Sequence, residues 1–552
     1  MFRHLLFSVL IIASLFSKGY SQVKPKRIVN IVNFIRLLEP RDKEITEDVL
    51  YETVVSQINL FSRYHLPATY LLQYDALINP RYQQLLKTKL SDNDEVGAWW
   101  EITQPHVEAV GLKWRGRYPW DWHANVGFST GYTPKERELL VDEYMKKFKE
   151  VFGRYPSTVA SWFIDEHSLA YMSDKYHIVA SANCKDQIGT DGYTLWGGYW
   201  NQAYYPSRMN AYMPAQTKIG QIDVPVFRML GSDPIYQYES GLGSNGQGVI
   251  TLEPVYGAAG SNLEWVNWFL KSLTNEPCLA FAYTQAGQEN SFTWKEMQKG
   301  LEMQAPIFDS LRNAGKINVE TMSASGKWFK ENFPVTPATA VTATEDYKNE
   351  GKKTVWYNSR FFRANILWKN DSIKIRDIHL FDERLPSKYF SKPGTSDRCV
   401  YETLPFVDGH EWSTPTERAG LKLVQILSNG EQKEIISKDF SIQEIAGNQL
   451  LITWQLPGGE KFSTHFFEDR FEVECMNSDK NFNWALELNT AHDVVLPFTS
   501  VNSNQIEAKK DGFKYKINCE QCSFIKPKNN SNYRIRILPV EQKIVISCNT
   551  RS

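Results

Sequence analysis

The feature that most constrains this 552-residue chain is an alternation in its first half, where seven short apolar runs lead in turn toward helical patterns. The first run, RIVNIVNFIR (27–36), is apolar over nearly its whole length, as befits a strand buried on both faces of a parallel sheet. Residues 47–64 then repeat apolar positions at helical spacing. PATYLLQYDAL (67–77) and EVGAWWEI (95–102) read as the second and third strands, with a helix over 80–90 between them. Thr133-Pro134-Lys135-Glu136 is a capping box with Pro at the first helical position, so a long helix starts there and runs to Gly153. STVASWFID (157–165) is the fourth strand, 166–176 a helix, and IVASAN (178–183) the fifth strand. VPVFRML (224–230) and CLAFAYTQ (278–285) are the sixth and seventh, followed by a helix near 294–314. Parallel strands joined through helices close into a barrel, and the chemistry of such barrels sits at the C-terminal strand ends.

The character changes at the Pro/Thr-rich segment PVTPATAVTAT. Beyond it, polar and apolar residues alternate in KTVWYNSRFFRANILW, QLLITWQL, RFEVEC, YRIRILP and KIVIS, the pattern of antiparallel strands with one covered face. The expected fold class is therefore α/β: a distorted (β/α)7 barrel over 22–332, a linker over 333–344, and an antiparallel β-sandwich over 345–552. Residues 1–21 read as a secretory signal. Arg3 and His4 precede an apolar run too short to span a bilayer, and small residues lead to cleavage after about Ser21. The expectation is a secreted or periplasmic protein without a membrane span. With 62 Lys+Arg against 63 Asp+Glu and no basic block, nothing points to a nucleic-acid partner. Seven cysteines at irregular spacings suggest buried thiols or one or two incidental disulfides. Oligomeric state is not legible.

Three short motifs carry a resemblance. Tyr64-His65-Leu66-Pro67-Ala68-Thr69-Tyr70, entering the second strand, resembles the polysaccharide-deacetylase-like barrels, and EVGAWWE sits where that family has its metal-binding strand. Trp162-Phe163-Ile164-Asp165-Glu166-His167-Ser168, ending the fourth, resembles the segment that bears the nucleophile of family 38 glycoside hydrolases, although two intervening residues fewer are present. Over 27–315 the layout is similar to the seven-stranded barrel shared by those deacetylases and by glycoside hydrolase families 38 and 57. The departures matter as much. The first strand ends Asn33-Phe34-Ile35-Arg36 without an Asp pair, and Trp99 and Thr103 stand where the two His ligands would fall. His106 and His123 are isolated. A metal-dependent deacetylase is thus disfavoured, and the expectation is a reaction without metal or cofactor.

The resemblance assigns the nucleophile role to Asp165, which could equally cap the helix beginning at Glu166. Glu289 after the seventh strand, Asp233 after the sixth and Glu101 after the third are candidates for the second carboxylate that glycosidic cleavage needs. Twelve of the 17 Trp lie between Trp99 and Trp328, so aromatic side chains are concentrated in the barrel half. The Gly-rich segment with Asp191, Tyr193, Trp196 and Tyr199, together with Trp99, Trp100, Trp114 with Arg115, and Trp120, could stack on pyranose rings; the alternative is that half of these rings are core. Arg228 and Gln288 complete the candidate binding set. The expectation is a metal-independent glycoside hydrolase acting on a poly- or oligosaccharide. A non-catalytic carbohydrate-binding barrel and a deacetylase-like esterase stand as alternatives.

Overall fold

A computed structural model describes residues 24–477, 482–526 and 533–550; the expected signal segment lies outside them. Seven strands form the barrel: β1 (Lys26–Ile35), β2 (Ala68–Leu72), β3 (Glu95–Trp99), β4 (Thr158–Ala160), β5 (Ala180–Asn183), β6 (Val226–Arg228) and β7 (Phe281–Ala286). They pair in parallel in the order β7-β1-β2-β3-β4-β5-β6. A two-residue strand, Ala203–Tyr204, adds antiparallel to β6, and the Gln202 amide donates to the Tyr283 carbonyl at 3.4 Å across the remaining gap. The barrel is nearly closed. Except for β1, the strands are shorter than the apolar runs, because several of those runs continue into the loops that build the mouth.

The helices begin where the sequence places their caps. Thr133 and Glu136 form the reciprocal capping box of Pro134–Phe152, and Gly153 ends that helix in the left-handed region at φ 74°. Glu166–Tyr176 and Thr293–Asn313 also match their expected spans closely. The helix Leu263–Asn275, capped by Asn262, has no counterpart in the sequence reading, although Trp265, Trp268 and Phe269 recur at helical spacing on its buried face.

Period-two alternation sorts the strand residues. Val29, Ile31 and Ile35 of β1 face the helices, whereas Val32 and Phe34 join Leu71, Trp99 and Phe227 inside. Phe34 stacks on Trp99 at 4.0 Å, and Trp162 meets both edge-on, at 5.8 and 5.5 Å, filling the barrel centre. One step further along the same faces stand Arg36, Gln73 and Glu101, at the mouth.

The second half folds into antiparallel sheets of ten and eight strands. It is bound to the barrel through a third sheet. Gln187–Thr190 and Tyr193–Trp196 form a hairpin after β5, and Tyr193–Trp196 pairs in parallel with Cys399–Glu402. Next to this seam lies a buried charge network. Asp186 accepts from Arg228 at 2.7 Å, from the Tyr212 hydroxyl at 2.5 Å, from the Gly197 amide at 3.0 Å and from Arg363, which in turn grips Asp377 at 2.8 and 2.9 Å. Cys519 and Cys522 form a disulfide, and the other five cysteines are buried.

This seam corrects the expected sugar platform. Trp196 is 1 % exposed and donates its indole N–H to Asp408 at 2.8 Å. Tyr193 donates to the Trp122 carbonyl and Tyr199 to the Pro337 carbonyl, and both rings are buried. Arg228 is likewise committed to Asp186. Trp196 is core because the second half covers it, whereas Tyr193 packs on Phe128 and Phe163 of the barrel half. We expect Trp196→Ala to lower stability by about 3–5 kcal/mol, the usual cost of emptying a large buried aromatic site. Calorimetry should show that loss, with oligosaccharide affinity of the folded protein unchanged; an unchanged melting temperature would contradict this placement.

Candidate active site

The mouth is organised around one guanidinium. Arg36 follows β1, and its inward position in the alternation carries it over the aromatic plug. Its Nε and Nη2 donate to the two oxygens of Glu101 at 3.0 and 2.7 Å, while its Nη1 lies 2.8 Å from Glu289. Arg36, Glu101 and Glu289 are only 3, 1 and 3 % exposed. The Gln73 amide donates to Glu101 at 2.6 Å, and the Ser291 hydroxyl donates to Glu289 at 2.6 Å. The Trp120 ring covers the guanidinium at 4.2 Å. The planar fork of a guanidinium fixes its nitrogens close together, so the two carboxylates stand within about 8 Å of each other.

Backbone chemistry sets these positions. Gly287, at φ 92°, ends β7 where a Cβ would meet the Val32 carbonyl at 2.3 Å, so the chain turns tightly and delivers Gln288 and Glu289 to the mouth. Gln288 bridges onward: its amide donates to Glu253 at 3.0 Å and its carbonyl accepts from the Glu289 backbone at 2.8 Å. Lys185, buried after β5, donates to the Asp186 carbonyl at 3.3 Å.

The two carboxylates are not equivalent. Glu101 takes a two-pronged grip from Arg36. Glu289 has the Arg36 charge near one oxygen without a hydrogen-bonding angle. Burial pushes the Glu289 carboxyl up, Arg36 and Ser291 oppose the shift, and the charge of Glu101 adds to it. Burial also raises Glu253 and lowers the Lys185 ammonium.

The other expected carboxylates lie elsewhere. Asp165 is the N-cap of Glu166–Tyr176, accepting from the Ser168 amide at 2.9 Å and its hydroxyl at 2.7 Å, from Ser129 at 2.5 Å and from Arg137 at 2.8 Å. Both of its oxygens are committed to the helix start, Ser129 and Arg137, and among the described residues no hydrogen bond or ion pair joins it to Arg36, Glu101 or Glu289. The resemblance to a nucleophile segment is thus met by a structural cap. Asp233 accepts from the Ile235 and Tyr236 amides and from the Trp265 indole, closing a turn in the same way; burial pushes it up to about 6. The structure brings together Glu101, Glu289 and Gln288, and leaves Asp165 and Asp233 out.

The aromatic expectations also divide. Trp99 belongs to the plug, and Trp100 packs edge-on against His106 and Tyr144. Trp114 is half-buried, with its indole donating to the Tyr118 carbonyl at 2.8 Å. Arg115 is exposed, stacks on Tyr132 at 4.5 Å and donates to the Gly131 carbonyl. Asp191 lies exposed at the hairpin turn, at φ 55°. Sequence reasoning missed Tyr118 and Trp122, stacked at 6.0 Å with Tyr118 41 % exposed, and the half-buried Trp162. It also missed Arg36, Gln73, Lys185 and Glu253. The available signal for Arg36 was the inward alternation of 32, 34 and 36.

No protein-family model matches the chain, and no curated protein does. Among solved structures it is similar to a candidate glycoside hydrolase/deacetylase from Parabacteroides distasonis at 17% identity, over 69% of this chain and 90% of that one, with a TM-score of 0.52. A candidate polysaccharide deacetylase from Mycobacterium smegmatis aligns at 10% identity over 57% and 95%, with a TM-score of 0.36. The first likeness is one of fold.

Deacetylases of this barrel type imply a catalytic metal, and the donor set here does not fit one. Among the described residues, no group of three or more His, Cys, Asp or Glu side chains is arranged to hold an ion. The mouth carboxylates already share a cation, Arg36. His106 is buried against Tyr74 at 4.3 Å, bonded to the Leu140 carbonyl, and burial pulls it down to about 4. No step is therefore routed through a metal.

The buried triad makes a stability prediction. Arg36→Met leaves two buried carboxylates without their counter-charge and should cost about 3–5 kcal/mol. Removing the Arg36 charge, which opposes the burial shift, pushes the Glu289 carboxyl further above its unfolded value than in the parent. That penalty is small at low pH, where this carboxyl is protonated in both states, and it grows as pH rises from about 4 toward neutrality. Thermal melts from pH 4 to 8 should show the gap between variant and parent widening; a constant gap would contradict the ion-pair assignment.

Proposed function

We propose that the barrel mouth is the active site of an exported carbohydrate-active hydrolase that cleaves glycosidic bonds with Glu101 and Glu289. The observation that carries this reading is the meeting of two carboxylates from β3 and β7 on one guanidinium at the C-terminal end of the barrel. Their separation bound of about 8 Å admits both the 5–5.5 Å of retaining enzymes and the lower part of the 6.5–9.5 Å range of inverting ones. The difference between the two supplies the roles. Glu289, raised by burial, is placed to give a proton to the leaving oxygen; Glu101, gripped by Arg36 and Gln73, faces the oxocarbenium-like centre directly or through a water. Tyr118, Trp122 and Trp114 offer partly exposed ring faces near the mouth for sugar stacking. Since Trp120 covers Arg36, a substrate must displace that ring to reach the carboxylates. The signal-like residues 1–21 support export, and the fold likeness supports a carbohydrate substrate.

One observation favours a second reading, a sugar-binding barrel without turnover: Arg36 neutralises both carboxylates at once. Kinetics separates the two. Glu289→Gln should reduce turnover of substrates with poor leaving groups by about 10²–10⁴-fold and spare activated aryl glycosides. Glu101→Gln should impair both classes. Wild-type turnover in both variants would overturn the proposal, and oligosaccharide binding without any turnover by the parent protein would establish the second reading.

A further inference from the structure

The solvent-facing side of the ten-stranded sheet carries a charge pattern that the barrel chemistry does not use. Lys352 in Lys352–Asn358 stands directly opposite Lys369 in Phe362–Lys369. Two strands on, Lys374 in Ser372–Leu380 stands directly opposite Lys422 in Gly420–Ile426. These four strands are consecutive neighbours in the sheet, and the four lysines share one face. Like charges placed directly across a strand pair are destabilising, and here the arrangement occurs twice in one groove. Arg418 joins them, and the groove they line has a volume of about 250 Å³.

The acids present do not balance it. Glu239 and Glu434 line the same groove, and Glu239 is drawn toward Arg376 at 3.5 Å, while Glu434 accepts from Ser372. Lys352 pairs with Glu350 at 2.8 Å. Glu487 lies across from Lys422 on its other flank, but Arg536 holds that carboxylate at 2.6 Å. The side chains of Lys369, Lys374, Lys422 and Arg418 make no hydrogen bond or ion pair among the described residues. Burial pulls the Lys374 ammonium down to about 8, with Glu239 opposing and Arg376, Lys422 and Arg418 adding to the shift.

We propose that this groove binds the anionic groups, sulfate esters or uronate carboxylates, of an acidic polysaccharide. Four adjacent strands at about 4.8 Å each spread the cations over roughly 14 Å, which suits a repeating polyanion better than a single ion. No aromatic ring lines the groove, so a ligand there is held through its charges and not by stacking of bases or sugar rings. The sugar half of this inference rests on the hydrolase reading; the anion half does not, and it is tested by binding alone.

The test is calorimetric titration of the full chain with a sulfated hexasaccharide, an oligogalacturonate, a neutral hexasaccharide, inorganic sulfate and a single-stranded DNA oligomer. The expected result is salt-sensitive binding of at least one acidic oligosaccharide, weaker binding of the other probes, and a loss of about tenfold or more in Lys374→Met/Lys422→Gln. The salt slope should fall by roughly one for each lysine removed. The same variant, without ligand, should melt no lower than the parent and turn over neutral substrates unchanged. The inference is overturned by no binding of either acidic oligosaccharide, by undiminished binding in the variant, or by sulfate or DNA binding as tightly as the glycans. Absence of turnover with this binding intact would defeat the hydrolase reading alone.

Discussion

Asp186 is the point on which the two halves of the molecule depend. A carboxylate removed from water is tolerable only if its oxygens are met by donors and its charge by cations. Here Arg228 comes from the barrel, Arg363 from the sheets, and Tyr212 and Gly197 from the excursion between them. Arg363 also needs Asp377, and Asp377 accepts from Tyr238, so the requirement propagates across the seam. Around the guanidinium, Trp196, Trp200 and Trp356 gather at 5.4–5.7 Å. Once this network is buried, the hairpin after β5 has little freedom, and its strand Tyr193–Trp196 takes Cys399–Glu402 as a partner. The aromatic wealth of that segment is therefore structural.

The same reasoning shows what the sequence could reveal. The seven strands were legible because two-sided burial leaves an apolar run, and helix starts because caps are local chemistry, as at Thr133. Asp165 was legible as either a cap or a nucleophile, and only the positions of Arg137 and Ser129, distant in sequence, decide for the cap. The fate of Trp196 depends on Asp408, more than two hundred residues on, so no local pattern could separate core from platform. Glu101 and Glu289 could be named as strand-end carboxylates. Their meeting on Arg36 follows from barrel closure between β1 and β7, which a linear reading does not contain.

The mouth and the outer sheet pose opposite electrostatic problems. At the mouth one cation serves two carboxylates, gripping Glu101 with two nitrogens and lying near a single oxygen of Glu289, whose carboxyl burial pushes up. On the sheet, cations face each other without enough acids. An enzyme that handles a charged chain at one surface and cuts it at another would use both, although each arrangement stands on its own contacts.

The most direct measurement of the central claim is product analysis after incubating the purified protein with a panel of acetylated and non-acetylated oligosaccharides. Cleavage by the Glu101–Glu289 pair predicts new reducing ends, shorter chains and no release of acetate. Acetate released from chains that keep their length would contradict the account and return the mouth to deacetylase chemistry.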